Sequence, residues 1–469
     1  MRSNRRFFLK GSILTATSLW LNNACKQSKN SPKITILGGG IAGLYAAYML
    51  KKAGIVAPIY EAHSRIGGRV MTGQNFVAKG ITTEIGGEFI DSSHKELLDL
   101  CQEFGFTLLD MQSPSEVNLI KTDYFIDGQR RTNPEIIEGF RNYPQVLKDM
   151  SAVEKAEPKR YAELDKLSID EYLHSVGVTG WLANLLKTSF TSELGLDTDV
   201  QNCITMLGMI SLDFNQNKFE IYGNSDERYK VVGGNEKIVK ELAKRVENQI
   251  NVDYVVEKIV RQGKTYNVFF GNGQNIDSEI IILTLPFTAL RNVKLDFEMP
   301  KMKQKCINEL DYGTQSKLFF GFKERFWRQE NFSGYVLSDK IHNGWDSSQM
   351  QTNNQGNGSY TLFMGGQRGL SLNAGQGDKF LLELDGIYKG AKENYIRHNA
   401  YNWVQNPFAG GAYSCYKPNQ MTTIAGWESK PVDNVFFAGE HCSEHFGGYM
   451  YGALETSKKV VESILKLMK

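Results

Sequence analysis

Gly38, Gly40, Gly43 and Glu61 have the types and spacing to hold the pyrophosphate and one ribose of a dinucleotide. Lys33 to Leu37 reads Lys-Ile-Thr-Ile-Leu, bounded like a short buried strand, and Gly38-Gly39-Gly40-Ile41-Ala42-Gly43 follows without a spacer. The spacing of apolar residues predicts a helix from Ile41 to Ala53, with Gly54 placed to end it. In such a turn the glycines supply a tight bend, close backbone approach and close helix packing, so that a pyrophosphate can sit on the helix N-terminus. Glu61 closes a second strand predicted around Val56 to Tyr60, where an acidic side chain binds a ribose hydroxyl. Glycine-rich turns also occur without a ligand; the order strand, turn, helix, strand, acid carries the reading. These residues alone admit NAD as readily as FAD.

A site of this kind needs a large scaffold, and 469 residues with 41% hydrophobic and 23% charged side chains suffice for two or three domains that bury a cofactor. The net charge of +2, from 54 basic and 52 acidic residues, points away from nucleic acid. Cys101, Cys203, Cys306, Cys415 and Cys442 lack paired metal spacing and read as core thiols, so no metal site is expected. At the amino terminus, Asn4 to Lys10 (Asn-Arg-Arg-Phe-Phe-Leu-Lys) resembles a twin-arginine export signal, and Gly11 to Leu21 is too short to span a bilayer. An exported protein, periplasmic or membrane-anchored, is expected. Cys25 stands where a lipoprotein cysteine would, but Leu21-Asn22-Asn23-Ala24 matches the attachment box poorly, leaving lipid anchoring and simple cleavage both open.

Arg65-Ile66-Gly67-Gly68-Arg69 adds a second glycine pair between two arginines, offering backbone amides and a cation to the same pyrophosphate. From Gly38 to Arg69 the chain resembles the flavin amine oxidases, the family of monoamine, polyamine and L-amino acid oxidases. The resemblance implies FAD. It extends to Glu84 to Ile90, similar to the segment that passes along the flavin, and to Tyr229 to Glu236, similar to the return from the substrate domain. Val252 to Val260 alternates like a strand whose Val256 would present backbone groups to adenine, and Ile280 to Pro286 is a buried strand ended by proline. The closing stretches Asn434 to His441 and Gly447 to Ala453 resemble the family's last motif. The implied fold is α+β: an export segment at 1–30, a discontinuous Rossmann-like FAD domain at 31–95, 225–293 and 403–469, and an inserted mixed α/β substrate domain at 96–224 and 294–402. Within the latter, Leu97 to Asn224 patterns as largely helical, Leu318 to Phe322 and Tyr360 to Met364 as strands, and Ser347 to Ser359 as an exposed polar loop.

By the same resemblance, the cofactor is contacted by Gly38, Gly40, Ala42, Gly43, Glu61, Ala62, Gly68, Arg69, Gly86, Gly87, Glu88, Phe89, Val256, Trp403, Gly439, Glu440, Tyr449 and Met450. Lys317 would hold a water against the flavin, and Tyr413 and Tyr449 would face each other across it as an apolar slot that disfavours an ammonium. Ala412 stands where monoamine oxidases carry the cysteine bonded to FAD, so non-covalent binding is expected, with Cys415 a remote substitute. His441 and His445 read as structural. The implied reaction oxidises an amine to an imine, then aldehyde, with O2 reoxidising the flavin to give H2O2. No arginine lies between Glu84 and His94 to bind a carboxylate, and Glu88 stands there instead, where it would attract a second ammonium. A monoamine or polyamine is therefore expected. The alternatives are an L-amino acid oxidase, with Arg325 or Arg368 reaching the pocket, an FAD-dependent desaturase, and a non-enzymatic flavoprotein. Absorption spectra before and after denaturation test the cofactor expectations: the purified protein should be yellow, and the colour should pass into solution when it unfolds. Colour that stays on the unfolded chain would contradict non-covalent binding.

Overall fold

A computed structural model describes residues 32–351 and 356–469; the export-like segment and Cys25 lie outside the described residues. Five parallel strands form a central sheet in the order Ile250–Asn251, Ile59–Tyr60, Ile34–Leu37, Ile280–Leu283 and Val435–Phe437. Ile34–Leu37 and Ile280–Leu283 are buried throughout, as continuous apolar runs must be when helices cover both faces. The helix Ile41–Lys52 follows the first strand, with Lys51 and Lys52 in its last turn and Gly54 beyond it at φ 81°. The helix Met450–Leu467 packs beside it, and the Ser457 hydroxyl donates to the Ala42 carbonyl at 3.0 Å. The helix Lys95–Glu103 adds Leu97, Leu100 and Cys101 to the same core.

Two predicted strands are shorter or split. The second begins only at Ile59, after Pro58, which has no N–H for the ladder. The stretch Val252 to Val260 is not one strand: Ile250–Asn251 ends in the parallel sheet, Asp253 turns the chain at φ 63°, and Val256–Gln262 starts a four-stranded sheet.

A seven-stranded sheet stands opposite, in the order Tyr395–Asn402, Ser316–Phe322, Gly358–Met364, His342–Asp346, Phe332–Ser338, Ile120–Ile126 and Gln129–Arg131. Helices between residues 133 and 209 cover it, the longest being Gly180–Leu194. The region 97–224 is thus less purely helical than its pattern suggests. Ile120–Ile126 pairs in parallel with Phe332–Ser338, a partner more than two hundred residues away that no local pattern announces. Nor is Ser347 to Ser359 simply an exposed loop. Ser347, Ser348 and Ser359 are buried, because the Asp346 carboxylate accepts the Ser348 N–H at 2.9 Å and the Ser347 and Ser359 hydroxyls meet at 3.0 Å.

Ser316–Phe322 has neighbours on both edges and every residue buried, so Lys317 lies inside the sheet. The strand is pressed against the segment around Val77 at Gly321, where an added Cβ would overlap the Val77 carbonyl oxygen. Gly321→Ala should therefore cost roughly 1–3 kcal/mol by overpacking. Denaturant unfolding of the purified protein measures it; an unchanged midpoint would show that the two segments separate freely.

Candidate active site

One cavity of about 530 Å³ runs along the carboxyl ends of the parallel strands. Gly38, Glu61, Thr284 and Gly439, each just past its strand, line it, so it lies at the point where strand order reverses about Ile34–Leu37. Gly40 caps the first helix without a side-chain cap, no acid occupies the first turn, and Ile41 and Ala42 line the cavity. Free N–H groups and the positive end of the helix dipole therefore face it. Gly38 needs its φ of 110°. Gly43 does not line the cavity; a Cβ there would overlap the Gly38 carbonyl oxygen, so it acts by letting the helix approach the turn. The Glu61 carboxylate accepts the Gly39 and His63 N–H groups at 2.6 and 2.8 Å, which aims it along the cavity edge beside Ala62.

Gly68 approaches Gly40 so closely that a Cβ would stand 3.2 Å from the Gly40 Cα. Arg65 bonds the Ile66 and Gly68 carbonyls. Arg69 reaches the carbonyl of Ala412 and, at 2.9 Å, the buried carboxylate of Glu440. Burial raises the Glu440 carboxyl, but Arg69 outweighs it and the group lies below its ordinary range. Glu440 also accepts the Gly448 N–H at 3.0 Å, which joins the last two sequence motifs. Val256 lines the far end with Tyr254, and Trp403 pins the Ile85 carbonyl at 3.1 Å.

Lys317 enters from the other sheet. Its Nζ donates to the Glu84 and Gly86 carbonyls at 3.0 Å each and to Glu88 Oε2 at 2.9 Å. Glu88 Oε1 accepts from Lys230 at 3.3 Å and from the Trp345 indole at 3.0 Å. Desolvation alone would raise the Glu88 carboxyl; the two ammoniums bring it below its usual value. Glu88 is thus neutralised inside the protein, which overturns the expectation that it attracts a substrate's second ammonium. Gly87 packs against Met450, and Phe89 stands edge-on to Trp345 at 5.7 Å. Tyr413 and Tyr449 line the same cavity; the Tyr413 hydroxyl donates to the Glu193 carbonyl, and Tyr449 caps the final helix. His441 is buried among Phe287 and Tyr312, its ring nitrogens without a hydrogen-bond partner among the described residues, and burial lowers it to about 4.

Apart from Gly43, the residues expected at the site all line this cavity. Sequence reasoning missed Lys230, Trp345, Asn343, Phe363, Glu193 and Glu227, which line it or brace it. Only Lys230 lay within a quoted motif; the others come from strands and helix ends with no local signature. Arg325 and Arg368 do not line it: Arg325 pairs with Asp346 at 3.4 Å and Arg368 bonds the Asp339 and Lys340 carbonyls.

A glycine turn at the carboxyl ends of a parallel sheet, with a second sheet across the same cavity, is the arrangement of a dinucleotide-binding protein. The flavin containing amine oxidoreductase family matches residues 41–465, and the chain belongs to that family. It is 23% identical over 461 residues to human amine oxidase [flavin-containing] B, covering 94% of this chain and 87% of that protein. Its fold is similar to cyclohexylamine oxidase from Brevibacterium oxydans IH-35A, with a TM-score of 0.80 and 19% identity over 93% of this chain and 99% of that one. Putrescine oxidase bound to putrescine gives a TM-score of 0.78 at 17% identity, over 93% and 99%. The cofactor of the family is a flavin, FAD, and the uncapped helix start, the Gly40–Gly68 approach and the aimed Glu61 fit one.

Removing the Glu88 charge leaves two buried lysines sharing a neutral partner, so Glu88→Gln should cost roughly 3–5 kcal/mol at neutral pH. The folded carboxyl is lowered, so its contribution is present above the unfolded value of about 4.3 and is lost as pH falls through the folded value. Denaturant unfolding across pH should show the gap between wild type and variant closing only in acid. A gap already closed at neutral pH would contradict this.

Proposed function

We propose that this enzyme oxidises an amine without a carboxylate, using FAD held non-covalently and O2 as acceptor, and releases an imine that hydrolyses to an aldehyde, with H2O2 as co-product. The carrying observation is that the arginines lining the cavity, Arg65 and Arg69, are both engaged by protein groups, while Arg325 and Arg368 are held elsewhere. A substrate carboxylate would enter with no free guanidinium to receive it, at a cost of several kcal/mol.

FAD, when bound, supplies the acceptor for hydride from the carbon beside nitrogen and passes the electrons to O2. The chain's part is binding, orientation and control of charge. Gly38, Gly40, Ala42, Gly68 and Arg69 would hold the pyrophosphate, with Gly43 letting the helix approach the turn, Glu61 and Ala62 the ribose, and Val256 the adenine. Gly86, Gly87, Glu88, Phe89, Trp403, Gly439, Glu440, Tyr449 and Met450 would form the bed of the ring. Ala412 lines the cavity, whereas Cys415 is buried outside it, which supports the non-covalent reading.

Tyr413 and Tyr449 offer an apolar slot in which an ammonium is poorly solvated, so the amine sheds its proton before it reacts. Burial lifts both phenols, and they stay neutral. Lys317 would supply positive charge to a bound flavin that gains electrons, and the N-terminus of Met450–Leu467, which also lines the cavity, would add its dipole. The three N–H donors of Lys317 are all engaged, so a water on Nζ has to replace one partner.

Peroxide release with paired amines and α-amino acids tests the reading. Amines should exceed the matched amino acids by about 10²-fold or more in kcat/KM, the equivalent of at least about 2.7 kcal/mol. Lys317→Met should slow flavin turnover by at least about tenfold. Preference for a carboxylated substrate would overturn the proposal, and unchanged turnover in the variant would favour a desaturase-like mechanism.

A further inference from the structure

Tyr413 is anchored on the end of a helix. Its hydroxyl donates to the carbonyl of Glu193, in the last turn of Gly180–Leu194, and its own carbonyl accepts the Gly313 N–H at 2.8 Å. Two residues past Gly313 comes Gln315, which is fully buried and does not line the cavity. Its amide nitrogen donates to the same Glu193 carbonyl at 2.7 Å. One oxygen therefore carries both the tyrosine and the glutamine, and Lys317 follows two residues further along the chain.

The amide is closely enclosed. A Cβ at Gly195 or at Gly313 would stand 2.1 Å from Gln315 Oε1, so a glycine on either side is what admits the side chain. Gly195 ends the helix at φ 81°, and its carbonyl accepts the Thr314 N–H at 2.8 Å and the Thr314 hydroxyl at 2.7 Å. The helix end is thus moored to residues 313–315. Among the described residues Gln315 Oε1 has no hydrogen-bond partner. A buried amide oxygen without a donor costs stability, and a methionine of similar length avoids that cost. Stability alone does not call for glutamine at this position; the anchor of Tyr413 does.

We propose that Gln315 is a positioning residue for amine oxidation: it fixes the helix-end carbonyl on which the Tyr413 hydroxyl rests, and so sets that wall of the slot against Tyr449 and against the strand that carries Lys317. The inference rests on the amine-oxidase reading and adds a residue to it. Carbonyls in the last turn of a helix have no partner within the helix, so each donor from outside is a restraint on where that turn lies. Without the Gln315 amide, the Glu193 carbonyl keeps only the tyrosine hydroxyl among the described residues, and Tyr413 follows the helix end. A wall that shifts misaligns the reacting carbon and admits a wider amine.

Gln315→Met and Tyr413→Phe each remove one donor from the Glu193 carbonyl, and the double variant completes a cycle. In the holoenzyme, Gln315→Met should lower kcat/KM for butylamine about tenfold, mainly through kcat, and lower the preference for butylamine over cyclohexylamine at least about threefold. On the Tyr413→Phe background the same substitution should change kcat/KM by less than about twofold, because the two side chains act through one carbonyl. Gln315→Glu, protonated in so dry a place, keeps a donor and should stay within about threefold of wild type. The visible circular dichroism of the bound flavin, read without substrate, should change in each single variant and no further in the double. The denaturant midpoint of Gln315→Met should be unchanged or higher. Additive effects of the two substitutions, equal losses in the Met and Glu variants, or a lowered midpoint with loss of flavin would overturn the proposal. Failure of both amines to reduce the flavin would instead count against the amine-oxidase reading, while the dichroism cycle still decides the role of Gln315.

Discussion

Glu88 lies between Lys317 and Lys230 with the Trp345 indole on one oxygen, all four buried. Such a cluster is expensive to desolvate and stable only when every charge and donor is satisfied. Here satisfaction requires the segment 84–90, the return at 229–231 and the strand Ser316–Phe322 to meet in one register. Lys317 spends its other two donors on the Glu84 and Gly86 carbonyls, so the cluster also sets the path of the backbone that lines the cavity. Asn235 bonds the Gly87 carbonyl, and its N–H meets Glu84, whose carboxyl burial raises to about 7. The wall of the cavity is therefore held by polar groups in a dry interior rather than by apolar packing alone.

Close backbone approach adds a second constraint, the absence of side chains. Gly43 under the Gly38 carbonyl and Gly86 under the Arg69 carbonyl let backbone pass where any Cβ would collide. The two designs meet at Arg69 and Glu440, which tie the second glycine pair to the carboxyl-terminal motif across more than three hundred residues. Tyr413, Tyr449, Glu193, Glu227 and Asn343 line the same cavity.

The cofactor side of the cavity was legible because its signals are local. A glycine turn after a β-branched strand, an acid after the next strand and the Ala412-Tyr413 pair are each contained in a few residues. The strands at 59–60 and 250–262 were misjudged because Pro58 and the left-handed Asp253 act on pairing, which an alternating pattern does not register. Ser347 and Ser348 looked like loop residues because their burial depends on Asp346 and Ser359.

Local pattern by itself determined where the nucleotide turn lies, that the chain needs a second domain, and which family its motifs resemble. Tertiary structure alone decided the charges. Whether Glu88 faces a substrate or an internal lysine, whether Lys317 ends a strand or lies inside a sheet, and whether Arg325 reaches the cavity depend on partners far away in the chain. A side chain's type sets what it can bond, but its free valence is what remains after the fold has used it. Among the described residues, that remainder leaves Glu193 and Glu227 without an ion pair while Glu88 is taken twice.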